Sequence, residues 1–197
     1  MDRKPVWTLA RQIPGNVVPA ACAAPFLILA VDELARHGPT PKALGLAIAF
    51  IAVGWLAVNF FGLFGNRGLR KAVELGFKDS YAYDQAEKWF VGFSPPGRKG
   101  LLDPHEDLGF LVFRPQGLEY FGERHQYQIA WEDIRSVRKR PNIHSILGLG
   151  GWVSVEAEAA GKPVRLLVEP RERATHWGNA RMRKKLVKAI SDHIPPR

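Results

Sequence analysis

Hydrophobic residues are concentrated near the start of the chain, in two long apolar runs separated by a short polar segment. The second run, residues 43–64, contains 22 residues and no charge. An α-helix rises about 1.5 Å per residue, so this run is long enough to cross a hydrocarbon core of about 30 Å. The pattern therefore predicts a transmembrane helix.

The first run, residues 13–31, is nearly as long but contains Pro14, Pro19 and Pro25. Proline removes a backbone donor and kinks a helix, which transmembrane helices tolerate when neighbours satisfy the freed groups. We expect a kinked span that packs against the second one, giving a two-helix anchor over residues 1–66. A cleaved signal peptide is the alternative interpretation, although a second span follows this run after only a short linker.

Asn59 is the one strongly polar residue of the second run. Inside a membrane such an amide can form an interhelical hydrogen bond, so Asn59 is a candidate polar contact between the two helices. Local packing without an interhelical bond is the alternative interpretation.

Positive charge flanks the two runs, whereas the connecting segment 32–42 holds two bases beside two acids. Short cytoplasmic segments of membrane proteins carry an excess of lysine and arginine. We therefore predict an inner-membrane protein with both termini in the cytoplasm. The flanking bases are Arg3, Lys4 and Arg11 before the first run, and Arg67, Arg70, Lys71 and Lys78 after the second.

Residues 67–86 form the predicted juxtamembrane link. Leu69, Val73 and Phe77 recur at four-residue spacing, which indicates a helical continuation with one apolar stripe. We expect this helix to lie near the lipid headgroups, with its bases either touching anionic lipid or only setting the topology.

The remainder of the chain, residues 87–197, alternates between short apolar segments and turns. This pattern predicts a β-rich cytoplasmic domain with two hairpins, the second of which turns at Ala160-Gly161-Lys162. Residues 131–139 are expected to form a helical turn that leads into a strand. The other predicted strands are 89–93, 108–114, 118–123, 126–131, 152–158 and 164–168.

A C-terminal helix is predicted from one apolar stripe opposite many basic residues, with Asn179 as its N-cap. We expect this helix to dock on the sheet; a free helix lying on the membrane surface is the alternative. The stripe consists of Met182, Leu186, Ala189, Ile190 and Ile194.

Several short strands followed by one amphipathic helix resemble the pleckstrin-homology-like superfamily, including bacterial PH and GRAM-type domains. The stretch GLEYFGERHQYQIAWEDIRSV carries most of this resemblance, which covers roughly residues 87–194. It implies a membrane α-hairpin followed by an α+β, mainly-β soluble domain: a bent antiparallel sheet or barrel capped by a C-terminal amphipathic helix. It also implies binding or scaffolding rather than catalysis. The basic phosphoinositide signature of eukaryotic PH domains is not evident, so lipid binding does not carry over.

Composition narrows the chemistry further. The single cysteine, Cys22, excludes an intramolecular disulfide and a cysteine-based metal site, and we expect no cofactor. The net charge of +9 is compatible with an anionic partner. The most enzyme-like cluster is the acidic and histidine segment 103–107, so an enzyme using Asp103–Asp107 is one hypothesis. No second cluster at ligand spacing supports it, and a loop that precedes a strand is the simpler interpretation.

Seven basic residues of the domain are candidate contacts for a partner or an anionic lipid. The leading hypothesis is a non-catalytic scaffold that binds a protein partner or membrane complex. Trp152 and Trp177 either belong to that surface or, in the simpler interpretation, pack in the core. An anionic-lipid-binding module is the alternative, and no nucleic acid is expected because no recognised module is present. The candidates are Arg98, Lys99, Arg181, Arg183, Lys184, Lys185 and Lys188.

Overall fold

The chain divides into two compact units in a computed structural model. One unit is Leu9–Phe64, and the other combines Met1–Thr8 with Gly65–Arg197. We call the second unit the sheet domain. The structure describes residues 6–63, 65–77, 87–94, 105–142, 145, 148–159 and 161–196.

The first unit is a helical hairpin of α1 (Leu9–His37) and α2 (Pro41–Phe61). The turn between them uses Gly38 at φ +70°, a left-handed conformation that favours glycine. Thr40 then begins α2, since its hydroxyl accepts a hydrogen bond from the amide of Ala43 at 3.1 Å. The helix α1 is continuous through its three prolines and extends beyond the predicted span at both ends.

Small residues allow these helices to approach each other closely. A Cβ on Gly15 would lie 3.1 Å from the carbonyl oxygen of Gly62, and one on Gly54 would lie 3.5 Å from Cβ of Ala23. Asn59 is buried, with 3% of its surface exposed. Its role as an interhelical polar contact remains a prediction.

The outer surface of the hairpin is strongly apolar. Many of its large side chains are exposed, and three of them are about two-thirds exposed: Ile28 at 66%, Leu44 at 63% and Ile51 at 64%. Both helices are long and apolar enough to cross a membrane. The charges near the turn neutralise one another in two ion pairs, Arg36 with Asp32 at 2.8 Å and Lys42 with Glu33 at 2.6 Å.

The sheet domain contains seven antiparallel strands in one open sheet, in the order β4-β3-β2-β1-β7-β6-β5. Two meanders, β1–β4 and β5–β7, are joined by pairing of the first strand with the last. The predicted strands are confirmed to within about two residues. The strands are β1 (Lys88–Ser94), β2 (Asp107–Arg114), β3 (Gly117–Gly122), β4 (Gln126–Ala130), β5 (Ile134–Arg140), β6 (Trp152–Ala159) and β7 (Lys162–Pro170).

Both predicted local connections are confirmed. A single 3₁₀ turn at Trp131–Asp133 leads into β5. Gly161, at φ +74°, allows the tight turn between β6 and β7. The second predicted hairpin therefore has the expected turn chemistry.

The main core lies on the inner face of the sheet. Val91 and Phe93 of β1 point into it, together with Leu111 of β2. The helix α4 (His176–Ser191) adds Leu186 and Ile190, both fully buried in the same cluster. The predicted apolar stripe of this helix therefore packs on protein.

A second apolar cluster covers the other face of β1 and β2. The helix α3 (Asn66–Phe77) places Leu69 and Val73 against Phe90, Leu108 and Phe110. The predicted helical stripe is therefore present, but its neighbours are sheet side chains, whereas the sequence analysis expected lipid headgroups. The apolar residues at alternate positions of β1 and β2 leave an outer face that must be covered, and α3 is the element that covers it.

Glu156 on β6 is surrounded by three arginines at 2.8–3.3 Å: Arg138, Arg140 and Arg165. Hydrogen bonding from Arg138 is the main cause that lowers the pKa of Glu156 from 4.5 to about 2. A folded-state pKa below the unfolded value means that the carboxylate stabilises the fold above about pH 4.5. This contribution is lost as the pH falls towards about 2.

Accordingly, we expect the stability difference between wild type and Glu156→Gln to shrink as the pH falls from about 4.5 to about 2. Urea titrations of the full chain in detergent at several pH values measure this difference. Glu158→Gln is the matched control, since its ion pair with Arg135 at 3.4 Å is exposed and contributes little. A difference that stays constant on acidification would contradict the assignment.

Candidate functional site

The exposed side of α4 carries one tryptophan and a row of bases. Trp177, Arg181, Lys184 and Lys188 follow one another at helical spacings of four, three and four residues, and all four are exposed. We call these four residues the α4 basic face. Lys185 is exposed beside them. Four of the seven predicted contact residues, namely Arg181, Lys184, Lys185 and Lys188, therefore lie together on one surface.

The first residue of this face is an unusually exposed aromatic. Trp177 has 51% of its surface exposed, and the Arg181 guanidinium carbon lies 4.3 Å from the centroid of its ring. Such a cation–π contact is worth about 0.5–1 kcal/mol at an exposed site. The contact holds the indole and the guanidinium side by side at the surface.

The start of α4 differs from the prediction. The N-cap is Thr175, whose hydroxyl accepts a hydrogen bond from the amide of Gly178 at 3.1 Å. The predicted N-cap, Asn179, is already inside the helix. Its side chain bonds back to the preceding segment, accepting from the amide of Arg173 at 2.7 Å and donating to the carbonyl of Thr175 at 3.1 Å. Thr175 and Asn179 both have side chains that can cap a helix. Because the Asn179 side chain bonds to Arg173 and Thr175, it is Thr175 that caps α4.

Arg183 is separated from the other predicted contacts. It is half-buried, and a Cβ on Gly151 would lie only 1.9 Å from its Nη1, so the guanidinium occupies the space that this glycine leaves. Burial lowers the pKa of Arg183, and the Glu169 carboxylate partly offsets that effect. The Arg183 side chain therefore packs inside the domain and is not part of the α4 basic face.

A buried polar network lies on the outer side of the sheet, centred on His105. The imidazole Nε2 is 3.2 Å from Oε2 of Glu169, and Nδ1 is 3.3 Å from Nη1 of Arg171. All three residues are buried. Glu169 also accepts hydrogen bonds from the amide of Gly151 and from the side chain of Asn142, both at 2.9 Å.

The partners of His105 determine its tautomer. A guanidinium can only donate, so Nδ1 of His105 accepts from Arg171 and the ring proton is on Nε2. That nitrogen is the one beside the Glu169 carboxylate. The imidazole therefore lies between a buried cation and a buried anion, and each of these has further hydrogen bonds, Arg171 to Asn66 and Glu169 from Gly151 and Asn142.

Gly92 makes room for this imidazole. A Cβ at this position would lie 2.2 Å from Cδ2 of His105, whose ring also contacts the ring of Trp152 edge-on at 5.3 Å. We expect Gly92→Ala to destabilise the domain by about 1–3 kcal/mol, because the packed ring cannot move aside. Gly68→Ala on α3, where a Cβ meets no atom within 4 Å, should instead stabilise it by about 0.5–1 kcal/mol. Thermal unfolding of both variants measures these effects. Equal shifts of the two melting temperatures would contradict the close packing of the His105 ring on Gly92.

Arg171 joins the segments on either side of the helical hairpin. Its Nε donates to Oδ1 of Asn66 at 3.1 Å, and its guanidinium lies 4.8 Å from the Trp7 ring centroid. The Asn66 amide donates in return to the carbonyl of Arg171 at 2.5 Å. The Glu123 carboxylate accepts from the amide of Trp7 at 2.7 Å. The chain is therefore fixed to the sheet domain just before it enters α1 and just after it leaves α2.

Asp107 closes the turn between β3 and β4. Its buried carboxylate accepts four backbone hydrogen bonds at 2.9–3.1 Å, from the amides of Leu108, Glu123, Arg124 and His125. All four donors are main-chain groups, so this carboxylate acts as a structural acceptor.

Several residues of the predicted sites cannot be placed. Arg98, Lys99, Asp103 and Pro104 lie outside the described residues. Within the described part of the chain, no three His, Cys, Asp or Glu side chains form a group that could hold a metal ion.

An open cavity of about 450 Å³ is lined by Arg70, Glu87, Lys88, Trp89, Glu172, Arg173 and Met182.

The sequence analysis did not single out Trp7, Asn66, Glu169 or Arg171. No local motif marks them, because their side-chain hydrogen bonds join positions between 18 and 107 residues apart. The one available signal was the placement of a tryptophan six residues before the first apolar run and of an asparagine two residues after the second. No protein-family model matches this chain, and no curated protein shows significant similarity to it.

Proposed function

We propose that this protein is a membrane-anchored, non-catalytic binding protein. The helical hairpin spans the inner membrane, and the sheet domain engages a protein partner or a membrane complex at the cytoplasmic face. The observation that carries this proposal is the exposed apolar surface of α1 and α2, which a bilayer would cover and water would not.

A binding role is favoured over catalysis by the way the domain uses its polar groups. Asp107 bonds to four backbone amides, while His105 and Glu169 are buried in a network with Arg171. A catalytic carboxylate or imidazole must reach a substrate, and these groups are occupied inside the protein. The described part of the segment 103–107 therefore supports the fold.

A PH-like identity is part of the proposal. The sequence resemblance is supported by the strand order, with a four-strand and a three-strand meander joined through β1 and β7, followed by one amphipathic helix. Such a module presents loops and a helix face for binding. We infer that the domain acts as a docking platform tethered to the bilayer.

Reporter fusions test the anchor. We expect green fluorescent protein fused after Arg197 to fluoresce and alkaline phosphatase at the same position to be inactive, because both report a cytoplasmic C-terminus. Alkaline phosphatase inserted after Gly38 should be active. An active phosphatase at the C-terminus would overturn the proposed orientation, and release of the full chain by alkaline carbonate would overturn the anchorage.

Affinity capture of the full chain from membranes in mild detergent tests the binding role. We expect one partner to be recovered repeatedly, to be absent from captures with an unrelated two-helix membrane protein, and to recover this chain in the reciprocal capture. Failure to recover any such partner would count against a protein-binding function.

A further inference from the structure

The charged side chains of α4 all have the same sign, and all of them except Arg183 are exposed. The helix His176–Ser191 contains five lysines and arginines and no acidic residue. Lys188 pairs with Asp192 at 3.0 Å, just beyond the helix. Among the described residues, no carboxylate lies within ion-pair distance of Arg181, Lys184 or Lys185. The described part of the chain therefore does not neutralise the charge of these three residues.

Trp177 gives the α4 basic face an exposed amphipathic ring in addition to its positive charge. Indole is amphipathic, and tryptophan is enriched where hydrocarbon meets water in membranes. Here it is half exposed beside Arg181, on the side of α4 away from the buried Leu186 and Ile190. An aromatic ring next to a row of bases is the composition of helices that lie at an anionic membrane surface.

We propose that the α4 basic face binds anionic phospholipid headgroups, with Trp177 inserted at the level of the headgroups. This inference rests on the membrane anchorage of the proposed function, because the hairpin keeps the domain at high effective concentration near a bilayer. Each base close to an anionic leaflet strengthens the attraction by roughly fivefold. An acidic protein surface also attracts bases and tryptophan, but the hairpin of the proposed function already holds a bilayer next to the domain.

Fluorescence quenching by brominated lipids tests the inference on the full chain. The protein is reconstituted in nanodiscs of brominated phosphatidylcholine, with or without brominated phosphatidylglycerol. The signal of Trp177 is the difference between wild type and Trp177→Phe. We expect Trp177 to be quenched only in the anionic discs. Quenching should be relieved when salt is raised from ~0.1 M to ~1 M, since the Debye length falls from about 10 to about 3 Å.

Two triple variants with the same change of charge separate the α4 basic face from general electrostatics. Arg181→Gln, Lys184→Gln and Lys188→Gln together should weaken the anionic-lipid response on the order of a hundredfold, from three fivefold effects. Arg135→Gln, Lys139→Gln and Lys162→Gln together remove three exposed bases from β5 and β7 and should leave quenching of Trp177 unchanged.

Each alternative result has a distinct meaning. No quenching in either disc would overturn the inference and assign the face to an acidic protein partner. Equal quenching in neutral and anionic discs, or equal effects of the two triple variants, would overturn recognition of anionic lipid. Failure of the chain to enter neutral discs at all would instead overturn the proposed anchorage, so the two failures are distinguishable.

Discussion

Changing Asp107 to asparagine is expected to lower the free energy of unfolding of the sheet domain by about 3–6 kcal/mol. One carboxylate oxygen accepts from the amides of Leu108 and Glu123, and the other accepts from those of Arg124 and His125. An asparagine keeps only one acceptor oxygen. Whichever way its amide turns, two buried N–H groups lose a charged partner and face an NH₂ donor.

The measurement is a urea titration of the full chain in detergent, followed by near-ultraviolet circular dichroism. Asp192→Asn is the control, because Asp192 is exposed and has a single ion pair with Lys188 that contributes less than about 1 kcal/mol. If the two asparagine variants unfolded at the same urea concentration, the assignment of a structural role to Asp107 would be wrong.

Changing Arg171 to methionine should lower the free energy of unfolding by about 3–5 kcal/mol. Methionine preserves much of the side-chain length but leaves Oδ1 of Asn66 and Nδ1 of His105 without their donor. It also removes the cation that balances the buried Glu169 across the imidazole. Domains are only marginally stable, so this loss is a large fraction of the total.

Arg173→Met, two residues further along, provides the matched control. The Arg173 side chain is exposed, and the hydrogen bonds of this residue to Asn66 and Asn179 are made by its backbone. We expect its unfolding midpoint to stay close to wild type. Limited proteolysis gives a second readout: Arg171→Met should expose the segment around Trp7 to cleavage, whereas Arg173→Met should not. If the two variants had the same unfolding midpoint and were cleaved equally near Trp7, Arg171 would not be the residue that holds these segments on the domain.

These two variants bear on function as well as on stability. The acidic and histidine segment 103–107 was the strongest catalytic candidate in the sequence, and its described members have structural partners. Asp107 bonds to backbone amides, and His105 lies between Glu169 and Arg171. Among the described residues of the domain, the α4 basic face is an exposed and chemically distinctive surface.

Local patterns were sufficient to predict most elements. The strands alternate or form short apolar runs with turn residues between them, so β1 to β7 could be placed from neighbours along the chain. The two apolar runs predicted α1 and α2 from length and lack of charge alone. The stripe of Leu186 and Ile190 predicted that α4 packs one face and exposes the other, which also placed Arg181, Lys184 and Lys185 at the surface.

Where several residues could play the same local role, the sequence could not choose. Thr175 and Asn179 are both good N-caps, and only the contact of Asn179 with Arg173 decides that Thr175 begins α4. The stripe of α3 is equally suited to lipid and to protein. The outer faces of β1 and β2, seen only when the sheet is assembled, explain why Leu69 and Val73 pack on the domain.

By itself, then, the sequence determined the two apolar helices, the strand-rich domain and the amphipathic last helix, because these follow from periodicity and length over a few residues. Tertiary structure alone decided the strand order, the burial of His105 with Glu169 and Arg171, and the fixing of Trp7 and Asn66 to the domain. Those features depend on hydrogen bonds and charges between distant residues, including one bond across 116 positions, and no local pattern encodes such pairings.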